Sequence, residues 1–299
     1  MVGRRQFLML PLAAAAAPAG PVIDTHIHLF DPAAFPYHPR ATYKPEASPL
    51  EPYLAFAKQA GITHTVIVHP EPYQDDHRYL EHCFAHESPA KLFKGTCLFD
   101  PVDGRTPVRM REIARQFPGR IVAMRIHAMN GPGEAPLATG PIKNRDLRDP
   151  RIKDVFREAG RLGMSIQMHF LPHHSPEIGA LAAEFKDVPV ILDHMGRAGM
   201  GGAEGFEQVL RLADHPLTFF KFSGVRYSSK QDPPHKDVQG FVKRAFDSFG
   251  SERILWGGLG HNMTENKAAR ELFEFQFAFA SEDDRARIRG GNAKRLFRF

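Results

Sequence analysis

The sequence predicts a (β/α)₈ TIM barrel. Three observations predict it. Eight short apolar segments alternate with eight amphipathic ones along the chain, the order that builds a parallel sheet covered by helices. Polar and apolar residues alternate at period two inside several strand segments, so one face can meet helices while the other carries chemistry. Seven of the 16 histidines (His26, His28, His69, His127, His169, His194 and His261) fall at or just past strand ends, where barrel active sites are built.

The expected strands, in order, are 22–28, 63–69, 95–99, 121–127, 165–170, 189–194, 218–223 and 254–257. Amphipathic spacing places helices at 50–60, 75–87, 107–117, 151–162, 176–185, 206–213, 238–249 and 265–280, with a closing helical segment at 282–297. Segments 130–140 and 199–205 read as loops. An open doubly wound sheet is the alternative, but no G-x-G-x-x-G follows the first strand. Within the strands, Ser165, Gln167 and His169 oppose Ile166, Met168 and Phe170. Lys221 and Ser223 oppose Phe220 and Phe222, and Arg125 and His127 oppose Met124 and Ile126.

Composition narrows the class. A chain of 299 residues, 42% hydrophobic, has material for a true core and excludes disorder. Its 2 cysteines, Cys83 and Cys97, supply neither a disulfide framework nor a cysteine zinc module, and read as buried thiols. The net charge of +5 is dispersed, without a basic stripe interleaved with aromatics. That argues against a nucleic-acid partner and permits a small anionic substrate. Residues 1–20 place Arg4 and Arg5 before an apolar run and small residues. This is the order of a secretory signal, similar to the twin-arginine type, and the run is too short to span a bilayer. The expectation is export to the periplasm, with a barrel domain over 21–299.

The sharpest local signal is Asp24-Thr25-His26-Ile27-His28. Histidines two apart on a strand leave from one face and can share a metal ion or grip an oxyanion. Arg125, His127, Arg197, Lys221 and Arg226 are candidates for holding an anionic substrate, since guanidinium forks match carboxylates. His69 and Glu71 can line the same pocket, and Trp256 and the Phe-rich stretch 273–279 read as packing.

In this combination the chain resembles the amidohydrolase superfamily, in its amidohydrolase-related branch. That branch includes lactonases, such as 2-pyrone-4,6-dicarboxylate lactonase, and non-oxidative decarboxylases. The resemblance rests on Val22–His28 at the start, Met168-His169-Phe170, and Leu192-Asp193-His194-Met195-Gly196-Arg197. It continues through Lys221-Phe222-Ser223-Gly224, Arg253-Ile254-Leu255-Trp256-Gly257 and Gly291-Asn292-Ala293-Lys294-Arg295-Leu296-Phe297. It implies that His26, His28 and His169 bind a divalent metal, Zn²⁺ fitting best. It implies a ligand or acid–base role for His194, and a substrate carboxylate on Arg197.

One departure stands out. After the eighth strand the family pattern is W-G-[ST]-[DN]-W-P, and this chain reads Trp256-Gly257-Gly258-Leu259-Gly260-His261. Leu259 takes the place of the proton-accepting acid, and a leucine accepts no proton. Losing such a group costs about 10²–10⁴-fold in rate. His194 is the better surviving acid–base candidate; His261 reads as a solvated loop residue or as a replacement base. The leading expectation is metal-assisted hydrolysis of a carboxylate-bearing lactone or related ester. The rivals are a decarboxylase, with His194 protonating the carbanion, and a degenerate, non-catalytic ligand-binding barrel.

Overall fold

The computed structural model describes residues 20–299. The export signal expected over 1–20 lies outside the described residues, save Gly20. Eight parallel strands run in the order β1 to β8. They are β1 Ile23–Ile27, β2 His64–Ile67, β3 Phe93–Cys97, β4 Ile121–Ala128, β5 Ser165–Phe170, β6 Val190–Leu192, β7 Thr218–Phe222 and β8 Ile254–Trp256. The Thr25 hydroxyl donates to the Trp256 carbonyl at 2.6 Å and closes the seam between β8 and β1. The architecture is the expected (β/α)₈ barrel.

The helices between strands are α1 Leu50–Gln59, α2 Arg78–Ala85, α3 Thr106–Gln116, α4 Pro150–Leu162, α5 Ser175–Glu184, α6 Gly202–Leu210 and α7 Gln239–Phe249. After β8 come α8 Met263–Gln276, α9 Glu282–Ala286 and α10 Asn292–Phe297. Two expectations shift. The loop expected at 199–205 is largely the start of α6, whose Gly205 is pressed against the Ala198 carbonyl. Strand β6 stops at Leu192, because the residues after it turn left-handed.

Alternation along the strands sorts residues into two clusters, as the period-two pattern requires. Ile166, Met168 and Phe170 of β5, with Phe220 and Phe222 of β7, pack outward in the large core under the helices. Ile23, Val66, Ile191, Phe219 and Leu255 form an inner cluster, closed by Ala293 and Phe297 of α10. Strand β1 breaks register between Asp24 and Ile27. Ile23 therefore joins the inner cluster while Ile27 joins the outer one. Cys83 and Cys97 are buried and unpaired, as the composition suggested. No helix among the described residues is long and apolar enough to cross a membrane.

The C-terminal segment is anchored by Asn292, which is fully buried. Its amide donates to the carbonyls of Ser251 at 2.7 Å and Ile254 at 2.8 Å. Asn292→Leu strands both carbonyls in the interior and is expected to cost about 2 kcal/mol. Urea unfolding checks this, and loss of less than about 0.5 kcal/mol contradicts it.

Candidate active site

Polar residues cover the inner apolar layer at the C-terminal ends of the strands. Asp193 stands two residues beyond Ile191, and Lys221 two beyond Phe219. Asp193 is fully buried. Its Oδ2 accepts from Arg125 Nε at 3.1 Å and from Gln167 Nε2 at 3.0 Å. Its Oδ1 lies 3.2 Å from Lys221 Nζ and 3.5 Å from His26 Nδ1. Burial pushes the Asp193 carboxyl upward, but the charges of Lys221 and Arg125 outweigh it and hold the group well below the usual carboxylate range. The residue is an anion whose counter-charges are built in.

His26 and His28 converge as expected, with their Nε2 atoms 3.3 Å apart. The Val68 carbonyl, 2.7 Å from His28 Nδ1, must accept a proton from it. His28 Nε2 therefore presents a lone pair to His26. Neither neutral tautomer of His26 suits both of its neighbours. A proton on Nδ1 meets the Asp193 carboxylate but sets two lone pairs face to face at Nε2. A proton on Nε2 meets His28 but turns the Nδ1 lone pair toward the carboxylate. His26 Nδ1 has no well-formed hydrogen bond. Burial holds both imidazoles uncharged, His28 down to about 3 and His26 well below its ordinary value. A cation between the Nε2 atoms resolves the conflict. Two nitrogens on one tetrahedral zinc, at about 2.0–2.1 Å each, stand about 3.3–3.4 Å apart, which matches the observed pair.

His169, expected as a third ligand, is engaged elsewhere. Arg197 Nε donates to His169 Nε2 at 3.0 Å, and His169 Nδ1 faces His127 Nδ1 at 3.3 Å. Both nitrogens are thereby occupied. Among the described residues, the metal-capable donors within 4.8 Å of one another belong to His26, Asp193 and His194. His194 Nδ1 is 3.0 Å from the buried Ser223 hydroxyl, and its ring centroid is 4.5 Å from that of His26. Burial also lowers the pKa of His127, His169 and His194 well below the ordinary value.

The segment after β6 delivers His194 in an unusual way. His194, Met195, Gly196 and Arg197 take consecutive left-handed φ angles of 54°, 58°, 61° and 48°. Each non-glycine residue there costs roughly 1–2 kcal/mol. Met195 is fully buried beneath the turn, and a Cβ on Gly196 would sit 2.8 Å from Val209. The turn brings both His194 and Arg197 to the mouth. The Arg197 guanidinium lies over the Tyr227 ring, 3.9 Å from its centroid.

A cavity of about 450 Å³ opens above these groups. Of the nine site residues read from the sequence, His28, Arg125, His127, His169, His194, Arg197 and Arg226 border it. His26 and Lys221 lie beneath it. Lys221, expected to hold substrate, is fully buried and gives its ammonium to Asp193 and to the Thr25 carbonyl at 3.1 Å. Leu259 borders the cavity. His261 borders it too, but its Nε2 donates to the His28 carbonyl at 2.7 Å; it braces the end of the first strand at His28 and is not a free base. Asp24 accepts from the backbone of His26 and of Gly258, both at 2.9 Å, and burial raises its pKa to about 6. His69 is buried behind the site, donating to the Gln74 carbonyl at 2.9 Å. Asp193, Gln167 and Ser223 carry the site without having been assigned to it. Their shared inward face with Ile191, His169 and Lys221 was the available signal.

A model of the amidohydrolase family matches residues 23–299. A 4-sulfomuconolactone hydrolase of Rhizobium radiobacter is 30% identical over 244 residues, covering 78% of this chain and 73% of that one. An L-fucono-1,5-lactonase of Burkholderia ambifaria is 24% identical over 259 residues, 83% of each chain. The crystal structure of a probable 2-pyrone-4,6-dicarboxylic acid hydrolase from Acinetobacter baumannii, with citric acid bound, superimposes with a TM-score of 0.74 at 20% identity. It covers 93% of this chain and 99% of that one.

Two outcomes are expected. Lys221→Met leaves the Asp193 charge short of its main partner and is expected to cost about 3 kcal/mol in urea unfolding; a raised KM without lost stability would instead return Lys221 to substrate binding. The second concerns acid. Unfolded histidines take up protons near pH 6.5, whereas burial keeps His26, His28, His127, His169 and His194 from doing so until far lower, and His69 until about 4. The unfolded chain therefore binds more protons below pH 6.5, and stability falls with pH. Asp24, raised to about 6, and Glu71, also raised by burial, oppose this but are outnumbered by the histidines. The melting temperature in EDTA is expected to drop steadily from pH 7 to pH 4.5; a flat profile contradicts the burial argument.

Proposed function

The chain belongs to the amidohydrolase family, and from that membership and the geometry of its mouth we propose that it hydrolyses a lactone, or a related ester, of a small carboxylic acid. Membership makes it an enzyme rather than the non-catalytic barrel that Leu259 alone suggests. The observation that carries the reading is the frustrated His26–His28 pair beneath an arginine-bordered cavity.

His26 and His28 would hold a divalent ion, zinc by the chemistry of the donors, with His194 and Asp193 beside His26. When bound, such an ion supplies Lewis-acid polarisation of the scissile carbonyl. The remaining work belongs to the side chains. Arg197 and Arg226 offer guanidinium groups to the substrate's acid. Stacking on Tyr227 and the bond to His169 fix the direction of Arg197. His194 is neutral, borders the cavity and is held by Ser223. It takes the proton from the attacking water and returns it to the departing alkoxide. Leu259 leaves no carboxylate just after β8 to share that duty.

The same leucine favours one second reading. Decarboxylation needs His194 to protonate a carbanion but requires no activated water. The proposal also extends to location: the twin-arginine-like start over 1–20 directs the domain to the periplasm.

A panel of carboxylate-bearing lactones, followed by proton release, tests the reading. Turnover is expected, falling at least about 100-fold in His194→Ala. Leu259→Asp is expected to raise hydrolysis by ten-fold or more, by restoring a second proton acceptor. Carbon dioxide from aromatic acids, with no lactone turnover, would establish the lyase instead.

A further inference from the structure

One charged group at the mouth has no part in the proposed hydrolysis. Glu71 borders the cavity, yet the residue is only 3% exposed. Its backbone segment follows β2, and Arg197 follows β6. In a ring of eight strands in sequential order those positions face each other across the barrel.

The Glu71 carboxylate is built into place. Its two oxygens accept from the Thr42 backbone amide at 3.3 and 3.2 Å, and Oε1 accepts from Gln74 Nε2 at 2.6 Å. Gln74 is itself fully buried with a φ of 51°. Its Oε1 accepts from the Ile142 amide at 2.7 Å, and its carbonyl accepts from His69. Three loops thus hold this one carboxylate still. Among the described residues, no lysine or arginine nitrogen comes within the 4.0 Å of an ion pair with it. A carboxylate offers about four lone-pair directions, and the two donors leave some of them for a ligand. An anion placed there is repelled; a hydroxyl donates to it.

We propose that Glu71 is a specificity-determining residue that selects substrates carrying a hydroxyl on the side opposite their acid group. Arg197 takes the acid at one wall, and Glu71 accepts the hydroxyl proton at the other. The inference rests on the lactone-hydrolase reading and names the chemistry of its substrate.

6-Hydroxyhexanoate and hexanoate test it directly: both are six-carbon monocarboxylates, the first carrying a hydroxyl at the end opposite its acid and the second not. Isothermal titration of the full chain is expected to show 6-hydroxyhexanoate binding about 10- to 100-fold tighter than hexanoate, the value of a hydrogen bond to a charged acceptor. In Glu71→Gln, which keeps an acceptor for Thr42, the ratio is expected to shrink to about 3-fold or less. Equal affinities in the wild type, binding of neither acid, or an unchanged ratio in a folded Glu71→Gln overturns the proposal. The wild-type comparison decides even if the variant does not fold. A preference for 6-hydroxyhexanoate without turnover on the lactone panel leaves the hydroxyl site standing and removes the hydrolase reading. Turnover without the preference removes only the role of Glu71.

Discussion

A buried carboxylate organises the mouth of this barrel. Asp193 draws in Arg125 from β4, Gln167 from β5, Lys221 from β7 and His26 from β1. A lone charge in that position is prohibitively costly, and it is tolerated because its partners arrive from strands whose spacing the sheet already fixes. The arrangement sets the chemistry above it. Lys221 and Arg125 keep Asp193 ionised, and an ionised Asp193 calls for a proton on His26 Nδ1. That leaves the Nε2 atoms of His26 and His28 as opposed lone pairs. Electrostatics beneath the site thus turns two imidazole lone pairs toward each other at its floor, where the proposed ion would sit.

Strain is the second element of the construction. Four consecutive left-handed residues are unfavourable in isolation, and three of them here bear side chains. Packing overrides the local preference. Met195 is fully buried, and Gly196 lies where no Cβ fits beside Val209. By strand alternation, His194 would point away from the interior after Asp193. The left-handed turn instead puts both residues at the site, and adds Arg197.

The barrel was legible because its signals are local and repeated. The outer faces of 165–170 and 218–223 pack in the large core as read, and their polar residues turn to the interior. The pair His26 and His28 was legible for the same reason. Lys221 and His169 show the limit. Alternation says which side of a strand a residue occupies, but not whether another side chain has already claimed its charge or lone pair. Lys221 points inward as read, yet sits a layer too deep to touch a ligand. His169 reaches the mouth, where Arg197 takes its Nε2. That contact depends on the left-handed turn, and no periodicity announces one. Asp193 stood in the motif after the sixth strand without a role of its own, because its importance lies in contacts 26 to 167 residues away along the chain.

Leu259 remains the chain's clearest difference from the pattern of its family, and in the proposed mechanism it throws the weight of the chemistry onto the first strand and His194. The central claim is that the opposed nitrogens of His26 and His28 form a cation site. A crystal structure of the zinc-loaded protein, with data collected on the zinc absorption edge, tests it most directly. The account predicts a single strong anomalous peak bridging the two Nε2 atoms, with His28 Nδ1 still donating to Val68. A zinc-replete crystal with no peak at that position, or with the peak on other side chains, would contradict it.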